Sequence, residues 1–230
     1  MSPVAARFGP ELFRFLKDLR AHNDRNWFAA NRARYERDVR DPLLGFVQDV
    51  VAPLARISRQ VVADPRPVGG SLFRIYRDTR FSKDKSPYKT HAAAQFRHRA
   101  GKDVHAPGFY LHLEPGAVFV GAGLWRPEPE ALQAVRTTIA NKPADWKKAI
   151  GGAGFRRTCA LEGEIAKRPP RGFDPGHSLI DDIRRKDFVA VARLSEKDAL
   201  SLRFLEQFVG FCRAASPLNA FLCKALGLDW

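Results

Sequence analysis

The chain has 230 residues, 45% hydrophobic and 28% charged, enough for one large domain with a full apolar core. Its 39 Lys and Arg against 25 Asp and Glu give a formal net charge of +14, a field that raises encounter rates with nucleic acid, nucleotides and phosphorylated metabolites. No apolar run approaches the roughly 18 residues needed to cross a bilayer, and Cys159, Cys212 and Cys223 have the spacing of neither a zinc site nor a redox pair, which argues against a membrane partner and assigns no metal ligands. The opening MSPVAARFGP lacks the apolar segment of a secretory signal, so the expected location is cytoplasmic, with reduced thiols.

In chain order, Leu12, Phe13, Phe15, Leu16 and Leu19 form a helical stripe over residues 11–21, after Pro10. Asn23 or Asp24 then offers an N-cap for a second helix, along which Trp27, Phe28, Asn31 and Tyr35 recur at near-helical spacing. The spacing predicts a third helix over 42–58, kinked or ended by Pro53. The stretch 64–70, DPRPVGG, marks a connection from this helical part, 10–63, to a sheet-containing part, 71–195.

The sheet part opens with SLFRIYRDTRFSKDKSPYKTH, residues 71–91. Residues 72–77 alternate like a strand, with Phe73 and Ile75 on one side and Arg74 and Tyr76 on the other. Past them, Arg77, Asp78, Arg80, Lys83, Asp84, Lys85 and Lys89 crowd a loop that also holds Phe81, Pro87 and Tyr88. Asp78 and Asp84 can pair with neighbouring bases and hold the loop's shape, leaving surplus cations for an anion. A weak strand over 92–96 and a polar, basic loop over 97–106 follow.

Runs 109–113 and 117–121, joined by Glu114, Pro115 and Gly116, predict a hairpin with Phe109, Leu111 and Leu113 on one face and Tyr110 and His112 on the other. His112 is a candidate acid or base if its face adjoins that of Arg74 and Tyr76; a hydrogen-bonded sheet histidine is the alternative. Gly121 and Gly123 lack the third glycine of a dinucleotide fingerprint, and there is no P-loop. The prolines and glutamates of 127–130 start a helix, 143–150 continues helical, and the glycines of 151–154 stop it. An exposed connection over 168–176, a short helix near Asp181 and Asp182, and a strand over 188–194 come next. A helical C-terminal part, 196–227, holds a buried helix over 197–215 and another starting at Pro217.

The runs FRIYRDTRFSKDKSPYKTH, NDRNWFAAN, PGFYLHLEPG, GAGLWRPEPEALQAVR and PLNAFL resemble, over nearly the whole chain, a microbial and fungal family catalogued as domain of unknown function 2461. The resemblance implies a pattern centred on Arg74, Arg77, Asp78, Arg80, Phe81, Ser82, Lys83, Asp84, Lys85, Pro87, Tyr88 and Lys89, and no activity, cofactor or catalytic residue, because the family has none assigned. The chain departs from the pattern at His22, where Asn is expected, at Arg32 in place of Lys, and at Ser86 in place of Thr.

These readings predict an α+β fold in which a mostly antiparallel sheet is flanked by N-terminal and C-terminal helices, as a single domain over 1–230. The leading functional expectation is binding of a phosphate-bearing ligand through the loop 77–89, with Arg74, Arg77, Arg80, Lys83, Lys85 and Lys89 meeting phosphate oxygens, Ser82 donating, and Tyr88 or Phe81 stacking. Trp27, Asn31, Tyr35 and Asp84 stand behind them. One alternative is an enzyme of phosphoryl or acyl chemistry with Asp78 or His112 handling a proton. The other is a loop whose charges are internally paired and bind nothing.

Overall fold

The computed structural model describes residues 7–101 and 106–230. Helix α1 (Pro10–Ala21) buries Leu12, Phe13, Phe15, Leu16 and Leu19, the stripe its sequence spacing predicts. Asp24 accepts a hydrogen bond from the Trp27 backbone and caps α2 (Arg25–Ala30); α3 (Arg32–Tyr35) and a π-helical turn (Glu36–Arg40) lead into α4 (Asp41–Ile57). The expected continuous helix through Trp27 and Tyr35 is therefore broken at Asn31, whose side chain donates to the Trp27 carbonyl. Pro53 neither ends nor divides α4. Burial of Leu54 one residue later offsets the hydrogen bond that the proline forgoes.

Strands β1 (Ala92–Arg97), β2 (Gly108–Glu114) and β3 (Ala117–Leu124) form a meander. Helices α5 (Pro129–Asn141), α6 (Pro143–Gly151) and α7 (Ala153–Thr158) follow, then β4 (Ala160–Glu162), α8 (Ile180–Ile183), β5 (Phe188–Leu194), α9 (Glu196–Ala199) and α10 (Phe204–Ala225). The five-stranded sheet is antiparallel throughout, in the order β1-β2-β3-β5-β4. The fold is α+β, with an antiparallel sheet and helices before and after it.

Four expectations about elements are corrected. The glycines at 151–154 interrupt the helix for one residue only before α7 resumes it. A single α10 runs through Pro217, because Leu218, Asn219, Phe221 and Leu222 on both sides of the helix's later turns are buried. The predicted helix over 197–215 is two pieces, α9 with a Ser195–Asp198 capping box and then α10. Residues 72–77 form no strand; they make only isolated bridges, Leu72 with Ala94 and Tyr76 with Tyr88. Part of the predicted loop over 97–106 lies outside the described residues.

The pleat sorts the sheet into two faces. Phe96, Phe109, Leu111, Leu113, Val118 and Val120 share the face that packs on α1, α4 and the first half of α10. A second apolar cluster gathers Trp146, Phe155, Phe188 and Leu222 around the other half of α10. Asn219, fully buried, donates to the Gly108 carbonyl at 3.0 Å and ties α10 to the start of β2.

Of the two glycines that fall short of a dinucleotide fingerprint, Gly123 has a structural use. Gly123 has φ +123°, and a Cβ there would stand 2.0 Å from the Phe188 carbonyl oxygen on β5, whereas at Gly121 the nearest atom would be 3.7 Å away. Gly123→Ala is expected to cost about 2–4 kcal/mol in urea denaturation, and Gly121→Ala less than about 1 kcal/mol; equal effects would contradict this account of the β3–β5 pairing.

Candidate functional site

Residues 71–95 fold as an irregular hairpin along the free edge of β1. Phe73 donates to the Ala93 carbonyl and Gln95 to Ser71, while farther out Lys89 donates to Ile75 and Arg77 to Pro87. Between the two bridges, three residues on the outgoing segment (73–75) face five on the return (89–93). The two extra residues are a bulge, the physical reason the ladder breaks into isolated bridges, and they lie around Thr90 and His91.

The helices hold this hairpin by one polar clamp and one aromatic stack. Asn23 Nδ2 donates to the Tyr88 carbonyl at 3.0 Å, and the Tyr88 N–H donates to Asn23 Oδ1 at 3.1 Å, so one side-chain amide takes both backbone groups. The Tyr88 ring stacks on Phe28 at 4.1 Å, with Tyr76 beside both. Trp27 and Tyr35 pack against Phe15, Tyr35 also against Phe28, and Asn31 is spent on α2's own backbone. His22, where Asn is expected, stacks on Trp27. Ser86, in place of Thr, keeps a hydroxyl that donates to Asp84 at 2.6 Å.

Much of the loop's charge is paired locally. Arg80 forks onto Asp78, whose carboxyl is drawn down to about 2 by the Arg80 hydrogen bonds. Arg77 pairs with Asp84 and also donates to Ser82; hydrogen bonds from Ser86 and then Arg77 hold the Asp84 carboxyl well below the usual range. Lys85 donates to the Thr79 carbonyl and Lys89 to that of Arg74. Burial, with Arg74 nearby, lowers the pKa of Lys89.

Between the loop and the α1–α2 corner lies a cavity of about 520 Å³. Of the residues singled out from sequence, Arg77, Asp78, Asp84, Tyr88 and Lys89 line it; Arg74, Arg80, Ser82, Lys83 and Lys85 do not. Phe81 is 95% exposed, with Arg80 over its ring, away from that wall. Arg20 and Asn23 complete the cavity from the helix side, and His91 lines it too. Sequence reasoning missed Arg20 and reduced Asn23 to a possible cap; neither role is visible without knowing which loop returns to the helix.

The bulge leads into the polar face of the sheet. His112 does not meet Arg74 or Asp78; its ring lies against His91 at 4.5 Å and Phe119 at 4.5 Å, its Nδ1 is 3.1 Å from the Tyr110 hydroxyl, and its Nε2 is 3.2 Å from Glu114. Thr90 donates to the other oxygen of Glu114 at 3.0 Å. Burial pulls the His91 pKa down to about 4 and lowers that of His112, so both imidazoles are neutral at pH 7. Burial works to raise the Glu114 pKa, but hydrogen bonds from His112 and Thr90 hold it below its ordinary value; burial pushes Tyr110 up to about 12. The strand period of two was the signal for Glu114, since it places Glu114 on the face of His112.

Two outcomes follow from these contacts. Asn23→Ala is expected to lower stability by about 1–3 kcal/mol by stranding both backbone groups of Tyr88, and Asn23→Asp by less, since it keeps the acceptor; thermal melts that leave Asn23→Ala at the wild-type value would refute the clamp. In a carbon-detected NMR titration, Asp78 should protonate with a midpoint near 2, so its pairing persists above that pH and is lost below it. Arg80→Ala should return the midpoint toward 3.8; an unmoved midpoint would contradict the assignment.

Among the described residues, no helix is long and apolar enough to cross a membrane. No curated protein and no solved structure matches the chain significantly. A family model does, over residues 11–221, which takes in the helical clamp, the bulged hairpin, the sheet and nearly all of α10. The chain therefore belongs to the family described as "Conserved hypothetical protein (DUF2461)", which has no assigned activity.

Proposed function

We propose that the cavity between the 77–89 loop and the α1–α2 corner binds a small phosphate-bearing ligand, a nucleotide or a phosphorylated metabolite. The observation that carries this reading is the placement of Arg20, Arg77 and Lys89 on one concave wall of about 520 Å³, a volume within the range of small-molecule sites. Arg77 presents the planar fork that suits a phosphate. Its present partner, Asp84, is an exposed carboxylate that a phosphate replaces with little cost in desolvation. Arg20 is exposed on α1 and, among the described residues, makes no side-chain hydrogen bond or ion pair. It contributes to the ligand alone.

Isothermal titration with pyrophosphate and ATP tests this. Arg20→Ala is expected to weaken binding by about tenfold or more without changing the melting temperature, the size of one charged hydrogen bond. Asp84→Asn is expected to strengthen binding by releasing Arg77, and the Lys83→Ala/Lys85→Ala pair to leave it unchanged. Binding only to single-stranded nucleic acid, with a salt dependence flattened in the Lys83→Ala/Lys85→Ala pair, would replace this reading with a polymer on the outer side of the loop. No binding by any of these probes would refute it.

A further inference from the structure

The polar face of the sheet carries an arrangement that the anion site does not use. Strand alternation puts His112 and Glu114 on one face. The register that pairs Ala92 with Leu113 sets His91, one residue earlier, across from Glu114, and places the small Ala93 opposite His112. The bulge around Thr90 and His91 lets the His91 ring lean toward His112. One donor atom from each of His91, His112 and Glu114 then lies within 4.8 Å of the others.

The geometry points to a divalent transition-metal site of the zinc class, formed by His91, His112 and Glu114 at the edge of the cavity. Two imidazoles and one carboxylate are a borderline donor set that suits zinc and its first-row neighbours better than magnesium or calcium, which favour oxygen ligands throughout. A tetrahedral ion with bonds of about 2.0–2.2 Å holds its donors about 3.3–3.5 Å apart. His112 Nε2 and Glu114 Oε2, at 3.2 Å, already span that distance. The His91 donor has at most about 1.5 Å to close.

The groups behind the ligands are in place as well. With Nε2 of His112 on the ion, its Nδ1–H donates to the Tyr110 hydroxyl across the existing 3.1 Å contact, which fixes the ring's tautomer and orientation. Thr90 holds Glu114 Oε1 and leaves Oε2 for the ion. Stacking on Phe119 fixes the His112 plane from the other side. A hydrogen-bonded chain from Tyr110 through His112 to Glu114 and Thr90 accounts for four of these residues without an ion. It leaves out His91, whose ring lies against that of His112 and which also lines the cavity. Three protein ligands beside an open cavity is the arrangement of a metal site that keeps a position for water or substrate.

This inference rests on the sheet register and does not require the phosphate reading. Full-length protein stripped with a chelator is titrated with Zn²⁺ by calorimetry and with Co²⁺ by visible absorption. One ion per chain is expected, with the d–d absorption of a four- or five-coordinate Co²⁺ complex. His91→Ala and Glu114→Gln should each weaken Zn²⁺ binding by at least about 100-fold, and Tyr110→Phe by roughly 10- to 100-fold. Cys159→Ser should leave it unchanged. Glu114→Gln keeps the shape of the side chain and its contact with Thr90, so it remains informative if His91→Ala misfolds. No saturable binding, a stoichiometry other than one, or wild-type affinity in both ligand variants would overturn the site. Zn²⁺ binding without pyrophosphate affinity would uphold this site and refute the anion reading; the converse result would do the opposite.

Discussion

One side-chain amide decides where the 77–89 loop sits. Asn23 satisfies both backbone groups of Tyr88, acting as a one-residue strand partner offered by a helix–helix corner. The Phe28–Tyr88 stack adds apolar area at the same point. Together they hold the return arm of the hairpin against α1 and α2. The outgoing arm and the charged tip hang from it through the Tyr76 bridge. The clamp thereby sets the loop across the cavity from Arg20.

The second constraint is the pleat of the sheet. One face is apolar from β1 to β3 and buries against α1, α4 and α10. The other carries Tyr110, His112 and Glu114, which a buried apolar face would not tolerate without partners. They find those partners in one another and in Thr90 and His91, which the bulge delivers to that face. Burial lowers the pKa of both histidines, and the neighbouring His112 adds to the shift at His91. The bulge thus joins two regions, the charged cavity on one side and the imidazole–carboxylate group on the other.

Elements set by local chemistry were legible in the sequence. The stripe of α1, the Asp24 cap, the tight hairpin around Gly116 and the alternation of β5 all stand where periodicity and turn residues put them. Breakers were over-read at Pro53 and Pro217, because long-range burial of Leu54 and Leu218 decides those turns. Residues 72–77 alternate like a strand, but the two extra residues that break the pairing are on the other arm, at 88–94, and alternation on one arm cannot reveal them. In the site, the paired charges of Asp78 and Asp84 were foreseeable from neighbours two to seven residues away. Arg20, the clamping by Asn23 and the meeting of His91 with Glu114 were not, since each depends on contacts between segments far apart in the chain.

The central claim is that the hairpin folds back on the α1–α2 corner to make one concave anion site. The most direct measurement is a nitrogen-15 NMR titration of the full chain with pyrophosphate, following the backbone amides of residues 77–91 together with the side-chain amide of Asn23. The account predicts saturable shifts at Arg77, Tyr88, Lys89 and His91, with the Asn23 amide moving in step and Lys83 and Lys85 unaffected. Shifts confined to Arg80, Lys83 and Lys85, or spread over the surface without saturation, would contradict it.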